Sequence, residues 1–473
     1  MSHYDLVVLG AGSGNALLDD RFSHLNVALV SEGPFGGTCL NAGCIPSKML
    51  SVTAEVADSV RESDRHDVAA RLEGIAWPRV QERVFDRLDA NSRDGEQGRR
   101  ASGWVTVLRG RARFTGEREL EVRTERGTER VTADRVVVAA GGRPVVPPVI
   151  ADAGVPYETS DTVMRLDEVP ARMVVLGGGY IAAELAHVFH SAGTAVTVVE
   201  QQDTLLGPQD ESVARAFTEI VGAQWDLRLG REVTGVEQST EAEADASGTL
   251  RVTLDDGARI DTDLLLVVAG RRPNSDVLDL DRAGISVDED GLIEVDAQLR
   301  TSAPGVWALG DITDGGPHLK HVANRQAAVV AHNLLHPEKP RTMSYDVVPS
   351  AVFTRPQIAQ VGRTEQEARD SGPDFVTGTR RYDGVAYGWA LEDEQGFCKV
   401  LLDRASGRVI GAHILGTQAA TLIQPLVVAM TAGMSARELA ESPLWIHPAL
   451  TEVVENALRE ALGQLEEGAD GDG

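Results

Sequence analysis

The sequence predicts an α/β chain with two Rossmann-like dinucleotide-binding units, because one pattern occurs twice: an apolar run breaks into glycines, a helix follows, and a second apolar run ends in an acid. The first copy is "DLVVLGAGSGN" (residues 5–15) with "NVALVSE" ending at Glu32, and the second is "RMVVLGGGYIAAE" (172–184) with "AVTVVE" ending at Glu200. Three further runs, "VVVAAGGRP" (136–144), "LLLVVAGRRPN" (264–274) and "GVWALGD" (305–311), each end an apolar strand in small residues suited to border a nucleotide.

In the first copy, Gly10 permits the tight turn and Gly12 lets backbone approach a pyrophosphate at a helix N-terminus. Asn15 stands where the third glycine of the pattern belongs, and Gly14 comes one place early. That glycine normally allows close helix–strand packing. Glu32 lies twenty-two positions after Gly10, a spacing at which an acid holds a ribose hydroxyl. In the second copy Gly177, Gly179 and Ala182 repeat the turn, with Glu200 twenty-three positions after Gly177. Two such units imply two dinucleotides.

At 473 residues the chain exceeds what one hydrophobic core organises, which predicts three or more domains. A net charge of −27 argues against a broad nucleic-acid or anionic-membrane surface, either of which needs clustered lysine and arginine. No apolar run reaches the roughly 18 residues of a membrane span, and "MSHYDLVVLG" lacks a basic region with a cleavage site. A soluble, cytoplasmic protein is expected. The last ten residues, "QLEEGADGDG" (464–473), join carboxylates to glycines and read as a frayed acidic tail.

The chain has three cysteines, two of them in "GGTCLNAGCIPSK" (36–48). An ideal helix would separate the Cα atoms of Cys39 and Cys44 by roughly 8 to 9 Å, while a disulfide needs about 4.4 to 6.8 Å. The two pair only where the chain is bent or not yet helical, which Gly43 and Pro46 favour. A metal site needs more ligands than these, and the eleven histidines offer no companion pair at finger-like spacing. A strained bond is easier to reduce, which suits a catalytic disulfide, and two inert buried thiols are the alternative reading. Cys398, in "GFCKV", reads as a core thiol on a strand.

These residues together resemble the FAD-dependent pyridine nucleotide disulfide oxidoreductases, the family of the glutathione reductases and lipoamide dehydrogenases, over residues 4 to about 460. The resemblance implies an FAD-binding domain at 1–148, an NAD(P)-binding domain at 149–273, a return to the FAD domain at 274–342 and an α+β dimerisation domain at 343–463. It implies that Cys44 lies against the flavin and that Cys39, nearer solvent, attacks the substrate disulfide. Lys48 resembles the lysine that reaches the flavin, Glu184 its carboxylate partner, and Tyr180 the aromatic lid over the nicotinamide site. "WIHPALTEVVEN" (445–456) places His447 and Glu452 in the family's His-Pro-x-x-x-Glu motif, as the proton donor and its orienting carboxylate, contributed in this family by the partner subunit of a homodimer.

Carried over the same way, FAD is expected on Gly10, Gly12, Gly14, Glu32, Gly37, Thr38, Lys48, Ala112, Gly141, Asp311, Lys320 and His321. The nicotinamide nucleotide is expected on Gly177, Gly179, Tyr180, Ile181, Glu184, Glu200 and Gly270. The shared machinery does not choose the substrate. "GSGNALLDDRF", "YDGVAYGWALED" and "WIHPALTEVVENAL" are similar to the branch that reduces mycothione, the disulfide of mycothiol, with lipoamide and then glutathione disulfide as alternatives. After the second strand "VVEQQDTLLG" has no basic residue until Arg215 to meet a 2′-phosphate, which favours NADH over NADPH.

Overall fold

The computed structural model describes residues 1–239 and 249–470. The first apolar run becomes the strand Ser2–Leu9, the middle of a parallel sheet ordered Val105–Gly116, Val27–Ser31, Ser2–Leu9, Gly127–Val138, Val306–Ala308. Leu9 is in register with Val30 on one side and Val138 on the other. All five residues of Val27–Ser31 are buried, as a parallel strand covered on both faces requires. The strands Val105–Gly116 and Gly127–Val138 run beyond the parallel part and join Glu119–Thr124 in an antiparallel meander.

The second unit is a five-stranded parallel sheet ordered Asp226–Leu229, Ala195–Glu200, Arg172–Leu176, Leu264–Val267, Glu158–Thr159. Its glycine turn leads into the helix Tyr180–Ser191, which buries Ala182, Leu185, Ala186 and Phe189 against the sheet. The chain crosses between the two units twice. The crossings pair with each other, Gly142–Pro144 running antiparallel to Arg271–Pro273.

The C-terminal part is a five-stranded antiparallel sheet ordered Ser350–Val352, Ile358–Gly362, Val409–Leu415, Phe397–Asp403, Phe375–Arg381. The helix Glu452–Asp470 lies directly on it: a Cβ at Gly378 would stand 2.1 Å from the Ala457 carbonyl oxygen, so only glycine fits under the helix. Cys398 is fully buried in this sheet, and burial pushes its thiol up to about 12.

The acidic tail expected from residue 464 does not begin there. Residues 464–470 continue the last helix, because Leu465 packs on the C-terminal core and Glu466 pairs with Arg437. Residues 471–473 lie outside the described residues. No described helix is long and apolar enough to cross a membrane.

Candidate active site

The awkward spacing of the cysteines is resolved by a break between two helices. Cys39 belongs to the short helix Gly37–Asn41, Cys44 opens the helix Cys44–Arg61, and Ala42 and Gly43 between them leave helical geometry, Gly43 at φ −148°, ψ −120°. A Cβ at Gly43 would press on the Thr38 carbonyl at 3.0 Å. Both thiols are free, and Cys39 is the neighbour that most strongly favours the Cys44 thiolate. Cys39, the helix-terminal N–H of Cys44, and the charges of Lys48 and Lys320 bring Cys44 down to about 7 against the opposing effect of burial. The Cys44 thiolate beside it, together with burial, pushes the Cys39 thiol well above its usual range.

Cys39 is half-buried and Cys44, the first residue of its helix, is exposed.

Both cysteines open into one cavity of about 2930 Å³ that runs from the first glycine turn to the second. It exceeds a single drug-sized site of roughly 300 to 1,000 Å³ several-fold. Gly10, Gly12, Glu32, Gly37, Thr38 and Ala112 line the first end, with Gly141, Asp311, Lys320 and His321 farther along. Gly177, Gly179, Tyr180, Ile181, Glu200 and Gly270 line the other end, with Lys48 and Glu184 between the two groups. The backbone fits two extended dinucleotides. A Cβ at Gly37 would stand 2.8 Å from Gly12 Cα, whereas Gly141, Gly179 and Gly270 face open space with nothing within 4 Å of such a Cβ.

Gly14 does not line this cavity. It is buried behind the turn, where a Cβ would stand 2.9 Å from Ala139 Cβ and 3.0 Å from Val8 Cγ1. It therefore does the close packing usually done by the third glycine. Asn15, relieved of that packing, ties the turn to a distant helix. Its Oδ1 accepts from Arg99 Nε at 2.6 Å, and Arg99 also donates to the Leu18 carbonyl at 2.7 Å.

Lys48 and Glu184 meet as an ion pair, Nζ to Oε2 at 2.5 Å. The other carboxylate oxygen accepts from the Phe353 N–H at 3.0 Å, and Lys48 Nζ sits 4.2 Å over the Phe353 ring. Tyr180 opens the helix that carries Glu184 and is half exposed at 49%.

His447 and Glu452 are paired, Nδ1 to Oε1 at 2.8 Å, but this pair lies away from the cavity that holds the cysteines. The His447 side chain is 73% exposed beside the exposed Leu444 and Ile446.

Several contacts at the site are not foreshadowed by any sequence pattern. Lys320 Nζ donates to Ser13 Oγ at 2.9 Å, joining the first glycine turn to the helix Lys320–Leu335. Glu32 pairs with Arg111 at 2.8 Å. Asn41 Nδ2 donates to the Phe35 and Gly37 carbonyls at 2.9 Å each, and Ser92 donates to Phe35 at 2.8 Å, pinning the loop that faces Gly12. All are contacts between segments far apart in sequence or within irregular loops, where no periodicity announces a partner. The Arg111 contact was the most accessible, since that residue precedes Ala112.

With this geometry in hand, the chain belongs to the pyridine nucleotide-disulphide oxidoreductases: residues 4–327 match that family, and residues 348–458 match its dimerisation domain. It is an oxidoreductase acting on a sulfur group, in a family dependent on FAD and NAD(P)H. Among particular relatives, the mycothione reductase of Mycobacterium tuberculosis is 47% identical over 466 residues, 97% of this chain and 99% of that protein. The dihydrolipoyl dehydrogenase of Geobacillus stearothermophilus is 33% identical over 97% of this chain and 96% of that one. The solved Cu(II) complex of the HOCl-induced flavoprotein disulfide reductase RclA from Escherichia coli superposes with a TM-score of 0.85 at 27% identity, covering 97% of this chain and 99% of that chain.

Proposed function

We propose that this chain reduces mycothione to mycothiol with electrons from NADH, as a cytoplasmic homodimer. The observation that carries the chemistry is Cys39 and Cys44 opening together into one cavity that runs between the two glycine turns, with the Cys44 thiol drawn down to about 7 by its neighbour Cys39. The choice of mycothione is supported by the 47% identity to the Mycobacterium tuberculosis enzyme, against 33% to the lipoamide enzyme.

FAD, when bound, supplies a carrier that accepts a hydride and hands an electron pair to a disulfide. Gly12 and Gly37, whose backbones approach each other at the first turn, would cradle its pyrophosphate, and Lys48, held by Glu184, presents a positive charge on the cysteine side of the cavity. Gly179, with open space where a Cβ would stand, would do so for the nicotinamide nucleotide, which reaches its position once the Tyr180 ring moves aside. In the dithiol state His447 of the partner subunit takes the Cys39 proton as Cys39 attacks one sulfur of the substrate, and the S–S bond breaks to give a mixed disulfide and one thiolate. His447 of the partner subunit protonates that thiolate. The Cys44 thiolate then attacks Cys39, re-forming the Cys39–Cys44 disulfide and releasing the second product as a thiolate, which takes a proton from water. Two electrons leave the protein and one disulfide becomes two thiols. The partner's Glu452 accepts from imidazole Nδ1–H, which leaves Nε2 to carry the proton. His447 is displayed on the surface of its own chain beside exposed apolar residues, which supports its action across a subunit interface.

The NADH preference rests on the loop after the second strand. Glu200 lies against Gly178 and accepts from the Gln202 N–H at 2.8 Å, and Gln201 beside it is neutral. Arg231, next to Glu200 through a backbone bond of 3.0 Å, is paired with Asp256. A carboxylate about 4 Å from a 2′-phosphate charge costs up to roughly 4 kcal/mol at an effective dielectric of 20. The test is loss of absorbance at 340 nm with mycothione, lipoamide and glutathione disulfide, each against NADH and NADPH. Fast turnover of mycothione with NADH is expected. Fast turnover of lipoamide with none of mycothione overturns the substrate, and a much higher kcat/KM with NADPH overturns the nucleotide preference.

A further inference from the structure

Lys399, on the strand Phe397–Asp403 of the C-terminal domain, is buried against a loop of the second Rossmann-like unit, with only 7% of its side chain exposed. Its Nζ lies 2.8 Å from Asp210 Oδ1 and 2.5 Å from Glu365 Oε2. Asp210 is fully buried. Its Oδ1 also accepts from the Ser212 N–H at 3.1 Å and hydroxyl at 2.5 Å, and its Oδ2 accepts from the Glu365 N–H at 2.9 Å with His413 Nε2 at 3.9 Å. Asp210 caps the helix Glu211–Gly222, so a lysine and a glutamate of one domain close on the helix cap of another.

Asp210 also ends the loop that begins at Glu200. Within that loop the Gln202 N–H donates to Glu200 Oε1 at 2.8 Å, the Leu205 N–H to Thr218 Oγ1 at 3.0 Å, and the Leu206 N–H to the Gly178 carbonyl at 2.8 Å. Pro208 and Gln209, immediately before Asp210, line the cavity with Gly177, Gly178 and Gly179. The loop thus has two anchors: the second glycine turn at one end and the Asp210–Lys399 pair at the other.

We propose that Lys399 is a positioning residue for the nicotinamide nucleotide, through which the C-terminal domain holds the 201–209 loop against the second glycine turn. Lys399 acts through Asp210. The proposal rests on the second unit taking the nicotinamide nucleotide.

The test uses full-length, FAD-loaded enzyme carrying Lys399→Met. Because stripping one partner from a buried pair can unfold a protein, the doubly neutral Asp210→Asn/Lys399→Met is measured beside it. Both are expected to raise KM for NADH at least fivefold, while KM for the disulfide and the rate at which disulfide reoxidises the prereduced enzyme stay within twofold of wild type. A structural role alone would move both KM values together. An unchanged KM for NADH, equal changes in both KM values, or failure of both variants to fold would each overturn the proposal. Wild-type enzyme that neither NADH nor NADPH reduces would instead overturn the reading of the second unit, and the proposal with it.

Discussion

Lys48 Nζ lies 2.5 Å from Glu184 Oε2, and this pair brings three parts of the chain to one point. Lys48 is on the cysteine helix of the first unit and Glu184 on the glycine-turn helix of the second, while Phe353 of the C-terminal domain donates its N–H to Glu184 and lays its ring under Lys48. On the proposed function, displacing either charge disturbs the line from nicotinamide to cysteine. Glu184→Gln keeps the volume and removes the charge. Misplacement of a reacting group by about 1 Å costs on the order of 10²-fold in rate. The expected outcome is a fall of roughly 10- to 100-fold in the rate of flavin reduction by NADH, read by stopped-flow absorbance, with disulfide reoxidation little changed.

The Cys44 pKa of about 7 predicts a pH dependence with a definite sign. A lowered thiol pKa means that the reactive thiolate is present above pH 7 and is lost as the pH falls through it. In the reduced enzyme, alkylation of Cys44 by iodoacetamide should rise with pH to a midpoint near 7. Cys39→Ala removes the strongest stabilising contact and should move that midpoint upward, and Lys48→Met should move it in the same direction. A midpoint that stays put in Cys39→Ala contradicts the arrangement.

The glycines of the cavity are not equivalent. A Cβ at Gly10 would stand 2.2 Å from the Ala139 carbonyl oxygen at φ +111°, whereas Gly141, at φ +62°, has open space around it. Gly10→Ala should lower stability by on the order of 3 kcal/mol and release FAD during purification. Gly141→Ala should cost only about 1 to 2 kcal/mol, the strain of left-handed backbone for alanine. Thermal melting and the ratio of flavin to protein absorbance check both.

Much of this site was legible because its parts are local patterns. The two glycine turns, their acids and the cysteine pair are set by short spacings, and the break at Ala42 and Gly43 is what the Cys39–Cys44 distance demanded. The Lys48–Glu184 contact spans 136 residues and came from resemblance to a family, since no periodicity joins the two. What stayed hidden was set by packing. Gly14 took over the work expected of position 15 because Val8 and Ala139 crowd it, and the last helix ran on to Asp470 because Leu465 and Glu466 found partners. The Asp210–Lys399 clamp joins two domains through residues 189 apart. Nothing near either residue signals the other.

The acid at Glu200 predicts nucleotide choice. Glu200→Gln keeps the shape of the loop and removes the charge that would face a 2′-phosphate, so the ratio of kcat/KM for NADH to that for NADPH should fall by about 10- to 100-fold. Steady-state assays with both nucleotides at fixed disulfide measure it. An unchanged ratio would mean that Glu200 plays no part in the choice.

The central claim is the division of labour between two sulfurs, Cys44 toward the flavin and Cys39 toward the substrate. It is tested most directly by anaerobic dithionite titration of the FAD-loaded enzyme, following the long-wavelength band of a thiolate beside oxidised flavin. The account predicts the band in two-electron-reduced wild type, its presence in Cys39→Ser without reduction, and its absence from Cys44→Ser. A band that persists in Cys44→Ser would contradict it.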